Sequence, residues 1–164
     1  MLRVGFLPSD FNPMLLMLGE AEDLRLLAGV LRRFAREPAD VRLDQLGFCT
    51  APHTAVTVTG SAGEPGIHPV DGGRFVWRLD ARLANAFADQ IDGLAVPARA
   101  AGSEILESGT GEAIPVKVSR GEYTDDFLSG KADQPLGADS RSATHCGPGT
   151  FTTRRASLLS MSIT

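Results

Sequence analysis

Apolar and polar positions recur with a helical period in residues 20–38. The apolar residues are spaced three and four apart and form one stripe: Leu24, Leu27, Leu31 and Phe34. Acidic residues occupy the first turn and basic residues the last, which suits the helix dipole. Pro38 ends the pattern. The segment predicts an amphipathic helix.

A second segment with the same period follows Asp80. Its apolar stripe consists of Leu83, Phe87, Ile91 and Leu94. Asp80 is a residue type that caps helix N-termini, and Gly93 and Pro97 bracket the end of the pattern. We therefore expect a second amphipathic helix.

Five shorter segments predict strands. Residues 14–19 are apolar throughout, which is typical of a strand buried on both faces. Residues 53–60 and 74–80 alternate with period two, the pattern of a half-buried strand. Residues 103–108 and 113–120 flank the turn sequence GTGE and predict a hairpin.

The last predicted strand has two distinct sides. Ile114, Val116 and Val118 are expected to face inward, whereas Lys117 and Ser119 are expected to face outward. Pro115 cannot donate to a ladder, which favours a position at a sheet edge or pairing on one side near its start.

Together these segments predict an α+β fold. We expect a two-layer sandwich in which a mostly antiparallel sheet of about five strands carries both amphipathic helices on one face. Residues 1–128 are expected to form this single domain. Residues 129–164 lose the periodicity and are rich in small polar residues, so they form either a disordered tail or an end that is not native to the domain.

Composition and charge narrow the range of partners. Apolar residues make up 43% and charged residues 22% of the chain, as in ordinary globular proteins. No apolar run approaches the roughly 20 residues of a membrane span, and no signal peptide is evident. We therefore expect a cytoplasmic protein with no membrane partner. The formal net charge is −4, and residues 1–128 carry the acidic excess, which argues against nucleic acid as a partner.

Three segments resemble a group of small bacterial proteins of unknown function. These segments are FVWRLD before the second helix, AGSEILES after it, and IPVKVSRGEYTDDFL at the close. The resemblance implies a site built from the positions that match: Trp77, Glu107, Ser119, Glu122 and Tyr123. The chain departs from the pattern at Ser103, where the group has His, and at Ile105, where it has an aromatic residue. By fold-level analogy alone, some proteins of this style bind and neutralise a toxin.

The SRGEY element is the most site-like polar cluster within the predicted domain. Glu122 beside Arg120, with the phenol of Tyr123 adjacent, suits a cationic ligand or a positioned water. A structural interpretation is also open, in which Ser119 faces solvent, the turn follows and Tyr123 packs on the rim of the sheet. The candidate binding residues are Glu107, Ser119, Arg120, Glu122 and Tyr123.

Several carboxylates on the predicted hairpin offer an enzymatic alternative. Glu104, Glu107, Glu112 and Glu122 form a solvated acidic face, an acidic patch for a basic partner, or an acid–base pair. Under the last interpretation, the protein is a small hydrolase or transferase that uses Glu107, Glu122 and Tyr123.

The cysteines and histidines predict no metal site. Cys49 lies four residues before His53, and His145 is adjacent to Cys146. Structural zinc ligands occur at other spacings, and a glycine-rich tail does not hold a nucleophilic thiol in place. We expect no catalytic residue, no metal and no cofactor.

The leading functional hypothesis is a non-catalytic, immunity-like or regulatory protein whose partner is another protein. The partner would meet the polar side or the edge of the sheet. The pattern predicts neither the identity of the partner nor the oligomeric state.

Overall fold

Strands supply most elements of the computed structural model, which describes residues 1–9, 12–108, 113–124 and 128. In chain order the elements are β1 (Leu2–Leu7), β2 (Met14–Leu18), α1 (Ala21–Arg36), β3 (Val41–Arg42), β4 (Cys49–Thr50), β5 (Ala55–Thr59), β6 (Gly66–Asp71), β7 (Arg74–Arg78), α2 (Ala81–Leu94), β8 (Gly102–Leu106) and β9 (Val116–Arg120). The predicted α+β class is confirmed. The predicted tail, residues 129–164, lies outside the described residues.

Both predicted helices are present and capped by their own side chains. An Asp23 carboxylate oxygen accepts a hydrogen bond from the Glu20 backbone N–H at 2.9 Å, and Asp80 Oδ1 accepts one from the Leu83 N–H at 2.6 Å. These bonds satisfy backbone donors that the first turn of a helix leaves free. The helices also pack against each other, and Arg32 of α1 pairs with Asp89 and Asp92 of α2.

The strands form two mixed sheets. One has five strands in the order β4-β1-β2-β9-β8, and the other has four in the order β3-β5-β7-β6. The pairs β1–β4, β2–β9 and β5–β7 are parallel, and the remaining pairs are antiparallel. The prediction of one mostly antiparallel sheet of about five strands is therefore wrong. Strand direction across a sheet depends on long-range connections, which local periodicity does not report.

Four strands were not predicted: β1, β3, β4 and β6. β3 and β4 are two residues long, and β1 and β6 do not alternate. In β1, buried and partly buried residues do not alternate, because both faces of the strand are at least partly covered. β6 is exposed over its last three residues. Of the two predicted arrangements of the last strand, the edge position is wrong, since β9 lies between β2 and β8, whereas the residue before its start, Pro115, pairs with β2 alone of these two strands. Pro115 precedes the strand, and its carbonyl accepts a hydrogen bond from the Leu15 N–H at 3.0 Å.

One continuous apolar core joins both sheets to both helices. Leu15 and Met17 of β2 belong to this core, while the alternate residues Leu16 and Leu18 are buried on the opposite face. Leu128 lies on that opposite face against β1, where a Cβ at Gly5 would come within 2.7 Å of it. The expectation that residues 14–19 are buried on both faces is confirmed. Within the described part of the chain, neither helix has the length and apolar character needed to cross a bilayer.

Candidate functional site

Arg120, a candidate binding residue, is directed at the C-terminal end of α2. Its Nη1 donates to the carbonyl oxygens of Leu94, Val96 and Arg99 at 3.0, 3.1 and 2.6 Å. Arg25 of α1 donates to the Ala95 carbonyl from another side at 2.7 Å. Carbonyls at a helix C-terminus have no partner within the helix and carry partial negative charge. Arg120 therefore stabilises the fold at this position.

Ser119 lies inside the five-stranded sheet. β9 pairs with β2 on one side and β8 on the other, so Ser119 is opposite Leu18 and Ser103. The side chain is 1% exposed, and its Oγ donates to the Gly102 carbonyl at 3.3 Å. The expectation that Ser119 faces solvent is wrong, because β9 lies between two strands and the Ser119 side chain is buried there.

Glu122 and Tyr123 follow β9 and differ in exposure. Glu122 is exposed, in the turn that Gly121 makes with a φ of 68°. Tyr123 is half-buried, and its hydroxyl accepts a hydrogen bond from Lys117 Nζ at 2.5 Å. The same ammonium lies 4.6 Å from the centre of the Tyr123 ring, within the range of a cation–π contact.

Glu107 is exposed directly after β8 and lines a cavity of about 340 Å³. The walls are mostly apolar, and the residues that sequence reasoning did not connect with this site are Gly66, Ile67, Phe87, Ala113 and Ile114. Trp77 also lines the cavity, packed on Phe87 with the ring centres 6.0 Å apart. Ligand pockets of proteins begin at about this volume.

The proposed acid–base set does not come together. Leu106 pairs with Val116 at one end of the β8–β9 ladder, and Gly102 pairs with Arg120 at the other. These pairs lie roughly 14 Å apart at about 3.4 Å per residue. Glu107 lies beyond the first end, and Glu122 and Tyr123 lie beyond the second. Side chains so separated do not act on one substrate atom.

The two remaining carboxylates of the predicted hairpin are Glu104 and Glu112. Glu104 accepts a hydrogen bond from Arg99 Nη1 at 3.2 Å, in an ion pair on the surface. Glu112 lies outside the described residues.

Cys49 is a buried free thiol in β4. Burial raises the pKa of Cys49 to about 11, with a further contribution from the nearby Asp44 carboxylate. A thiol with a raised pKa is a poor nucleophile at neutral pH. His53 is exposed in a left-handed backbone conformation with a φ of 62°. Within the described ranges, no group of three or more metal-binding side chains exists; His145 and Cys146 lie outside those ranges.

β8 is an edge strand of the five-stranded sheet. In the part of the chain that the structure describes, β8 pairs with β9 alone. Ile105, in the middle of β8, is a β-branched apolar residue and is 50% exposed. Ile105 was noted in the sequence only as a departure from the resemblance, where the group has an aromatic residue. An apolar, β-branched residue at that position is the sequence signal that could have indicated this surface.

The other sheet edges are blunted. β3 and β4 are two residues long. β6 contains Pro69, which has no N–H to donate, and its register with β7 shifts between Pro69 and Asp71. Short strands, prolines and irregularities are the devices that keep an edge from pairing with another chain. β8 carries neither a proline nor a register shift over its five residues.

Comparison with known proteins yields no relative. No family model, no curated protein and no solved structure matches the chain.

Proposed function

We propose that the protein is a non-catalytic protein-binding protein whose partner adds a strand to the open edge of β8. The observation that carries this proposal is a regular five-residue edge strand with half-exposed Ile105 at its centre. In strand addition, main-chain hydrogen bonds supply affinity, and alternate side chains supply specificity. Ile105 would be the apolar contact that selects the partner.

The charges around β8 favour a basic partner segment. Glu107 follows the strand and is exposed. The turn that holds Glu122 lies beside its start, since a Cβ at Gly121 would be 3.3 Å from the Ala100 carbonyl. Arg120 is used by the carbonyls after α2 and offers no free cation at this surface. A segment carrying Lys or Arg near its ends would complement the two exposed carboxylates.

The hydrolase or transferase alternative has weaker support. It requires Glu107, Glu122 and Tyr123 to converge on one reacting atom. These residues lie beyond opposite ends of the β8–β9 ladder, and Tyr123 is engaged by Lys117. The protein-binding hypothesis uses the same carboxylates without requiring convergence.

The experiment is affinity capture from the native cells followed by reconstitution with the purified partner. Three full-length baits are compared: wild type, Ile105→Lys and Val70→Lys. Lysine at an edge position disfavours strand addition. Val70 is the matched control, because it is 58% exposed on β6, the blunted edge of the other sheet.

We expect one stoichiometric partner with wild type and with Val70→Lys, and its loss with Ile105→Lys. Calorimetry with the purified partner should then show binding that weakens as salt is raised. Equal capture by all three baits would place the interface elsewhere, and the absence of any stoichiometric partner would refute the proposal.

A further inference from the structure

The hydrogen bonds between β2 and β9 fix the direction of the main-chain groups along β9. The Leu15 N–H donates to the Pro115 carbonyl at 3.0 Å, and the Gly19 N–H donates to the Ser119 carbonyl at 3.1 Å. In an extended strand, the N–H and C=O of one residue point to the same side, and successive residues alternate between the two sides. Lys117 and Ser119 therefore direct their main-chain groups at β2, and the residues between them direct theirs at β8.

This alternation identifies the main-chain groups of β8 that point away from the sheet. Val118 faces β8 and pairs with Glu104, and the two residues of such an antiparallel pair exchange both hydrogen bonds. The N–H and C=O groups of Ser103 and Ile105 consequently point away from β9. Within the described ranges, no further strand pairs with these four groups.

The side chains of the same two residues lie on the face of the sheet opposite the main core. Ile105 is opposite Lys117 in the β8–β9 ladder, and Ser103 is opposite Ser119. The Ile105 side chain is 50% exposed. β8 thus presents four main-chain hydrogen-bonding groups together with one apolar side chain, which is the combination that pairs with another extended segment.

β8 is complementary to a second copy of itself in one antiparallel register. Only registers that match the outward-directed residues of the two copies form hydrogen bonds. Pairing Ser103 with Ile105 places the two Glu104 side chains directly opposite each other, which is unfavourable for like charges. Pairing Ile105 with Ile105 brings two exposed apolar side chains into contact and places Ser103 opposite Glu107, where a hydroxyl faces a carboxylate.

We propose that a second copy of this chain pairs with β8 in the register centred on Ile105. The two-fold axis then passes between the two Ile105 residues, and the five-stranded sheets of the two copies form one continuous sheet. A pair of short strands buries less than the roughly 1,200 Å² at which stable interfaces begin, so the dimer is weak and forms reversibly. It uses the same edge as the proposed partner, so self-pairing and partner binding exclude each other.

Sedimentation of the purified, full-length chain from about 10 µM to about 1 mM tests the dimer in the range of weak interfaces. Wild type should form a reversible dimer. Ile105→Lys should weaken the dimer on the order of ten-fold or more, because it places two ammonium groups opposite each other. Val70→Lys is the matched control, since Val70 is 58% exposed on β6, in the other sheet. A wild-type chain that stays monomeric throughout overturns the proposal, as does an equal loss in both folded variants.

Cysteine cross-linking in a Cys146→Ser background tests the register. The Cα atoms of a hydrogen-bonded antiparallel pair are about 5.5 Å apart, which a disulfide can bridge. Ile105→Cys should therefore cross-link at least about ten-fold faster than Val70→Cys, which reports random collisions between exposed thiols. In this register, the two copies of position 103 lie roughly 14 Å apart, so Ser103→Cys should not exceed the collision rate. Cross-linking of Ser103→Cys at the rate of Ile105→Cys, or of Ile105→Cys at the rate of Val70→Cys, overturns the register.

The proposed function and this inference fail separately. Both measurements use the purified chain alone, so a monomeric chain leaves the proposed partner unaffected. Failure to capture a partner from cells likewise leaves a measured dimer standing.

Discussion

The two ends of the β8–β9 hairpin carry charged residues that the sequence marks as candidate binding residues, but the surroundings of these residues differ. At one end, Arg120 donates to three carbonyls at and beyond the C-terminus of α2. At the other end, Glu107 is exposed at a cavity. The difference lies in what faces each group. Main-chain carbonyls accept hydrogen bonds from the guanidinium, whereas the carboxylate is exposed to solvent.

The comparison separates a charge that the fold uses from a charge that it leaves exposed. A guanidinium has several donors in a fixed fork and suits a cluster of carbonyls. A carboxylate only accepts, and at its end of the hairpin no described side chain donates to it. We therefore expect removal of the charge to affect stability at the Arg120 end and partner binding at the Glu107 end.

Replacing Arg120 with methionine should give the largest effect. The change keeps the apolar stem and removes the donors, so it should lower the free energy of unfolding by about 2–3 kcal/mol, based on hydrogen bonds to a charged group. The melting temperature should fall by roughly 10 °C for a domain of this size. Urea and thermal unfolding measure both quantities.

Arg82→Met is the matched control for that change. Arg82 is exposed in the first turn of α2, where a cation opposes the helix dipole. Its replacement should alter stability by less than about 0.5 kcal/mol. Equal effects of the two substitutions would mean that Arg120 does not stabilise the end of α2.

Cys49, in the edge strand β4, extends the comparison to a buried group. The fold favours the neutral thiol of Cys49 over the charged thiolate. The reference pKa of the thiol is 9.0, and burial raises the pKa of Cys49 in the fold to about 11. Between these values, the unfolded state binds fewer protons than the folded state, so stability falls as pH rises. The loss should reach roughly 2–3 kcal/mol and level off above the folded pKa.

The measurement is urea unfolding from pH 8 to beyond pH 11, with wild-type Cys49 and Cys49→Ala compared in a Cys146→Ser background. The difference between the two curves isolates the contribution of the thiol, because every other titratable group is common to the two proteins. A difference that does not change with pH would contradict the assigned burial of Cys49.

Glu107→Gln should give the smallest effect on stability. The side chain is exposed, so the free energy of unfolding should change by less than about 0.5 kcal/mol. Thermal unfolding of wild type and of Glu107→Gln provides the measurement. A loss of stability comparable to that of Arg120→Met would mean that Glu107, like Arg120, stabilises the fold.

The helices could be predicted because the residues that define a helix lie close together in the sequence. The stripe of Leu24, Leu27, Leu31 and Phe34 is buried as expected, and the Asp80 cap is present. The antiparallel β8–β9 pair was predictable for a similar reason, since the two strands follow one another in the chain. In each case neighbouring residues carry the whole signal.

The missed features depend on residues that are distant in sequence. β1 pairs with β2 in an antiparallel ladder but with β4 in a parallel one, and its own residues do not alternate cleanly. The cavity combines walls from five elements. The role of Arg120 depends on where α2 ends in space. No local spacing encodes such contacts.

The sequence by itself determined the α+β class, both helices, the Asp80 cap of the second helix, and the residues that could carry charge near the last two strands. Periodicity and capping act within a few residues, so they can be recognised along the chain. Only the tertiary structure decided that the sheets are mixed, that Ser119 is buried, that Arg120 binds main-chain carbonyls and that Glu107 lies at a cavity. Those outcomes depend on which distant surfaces meet when the apolar core forms.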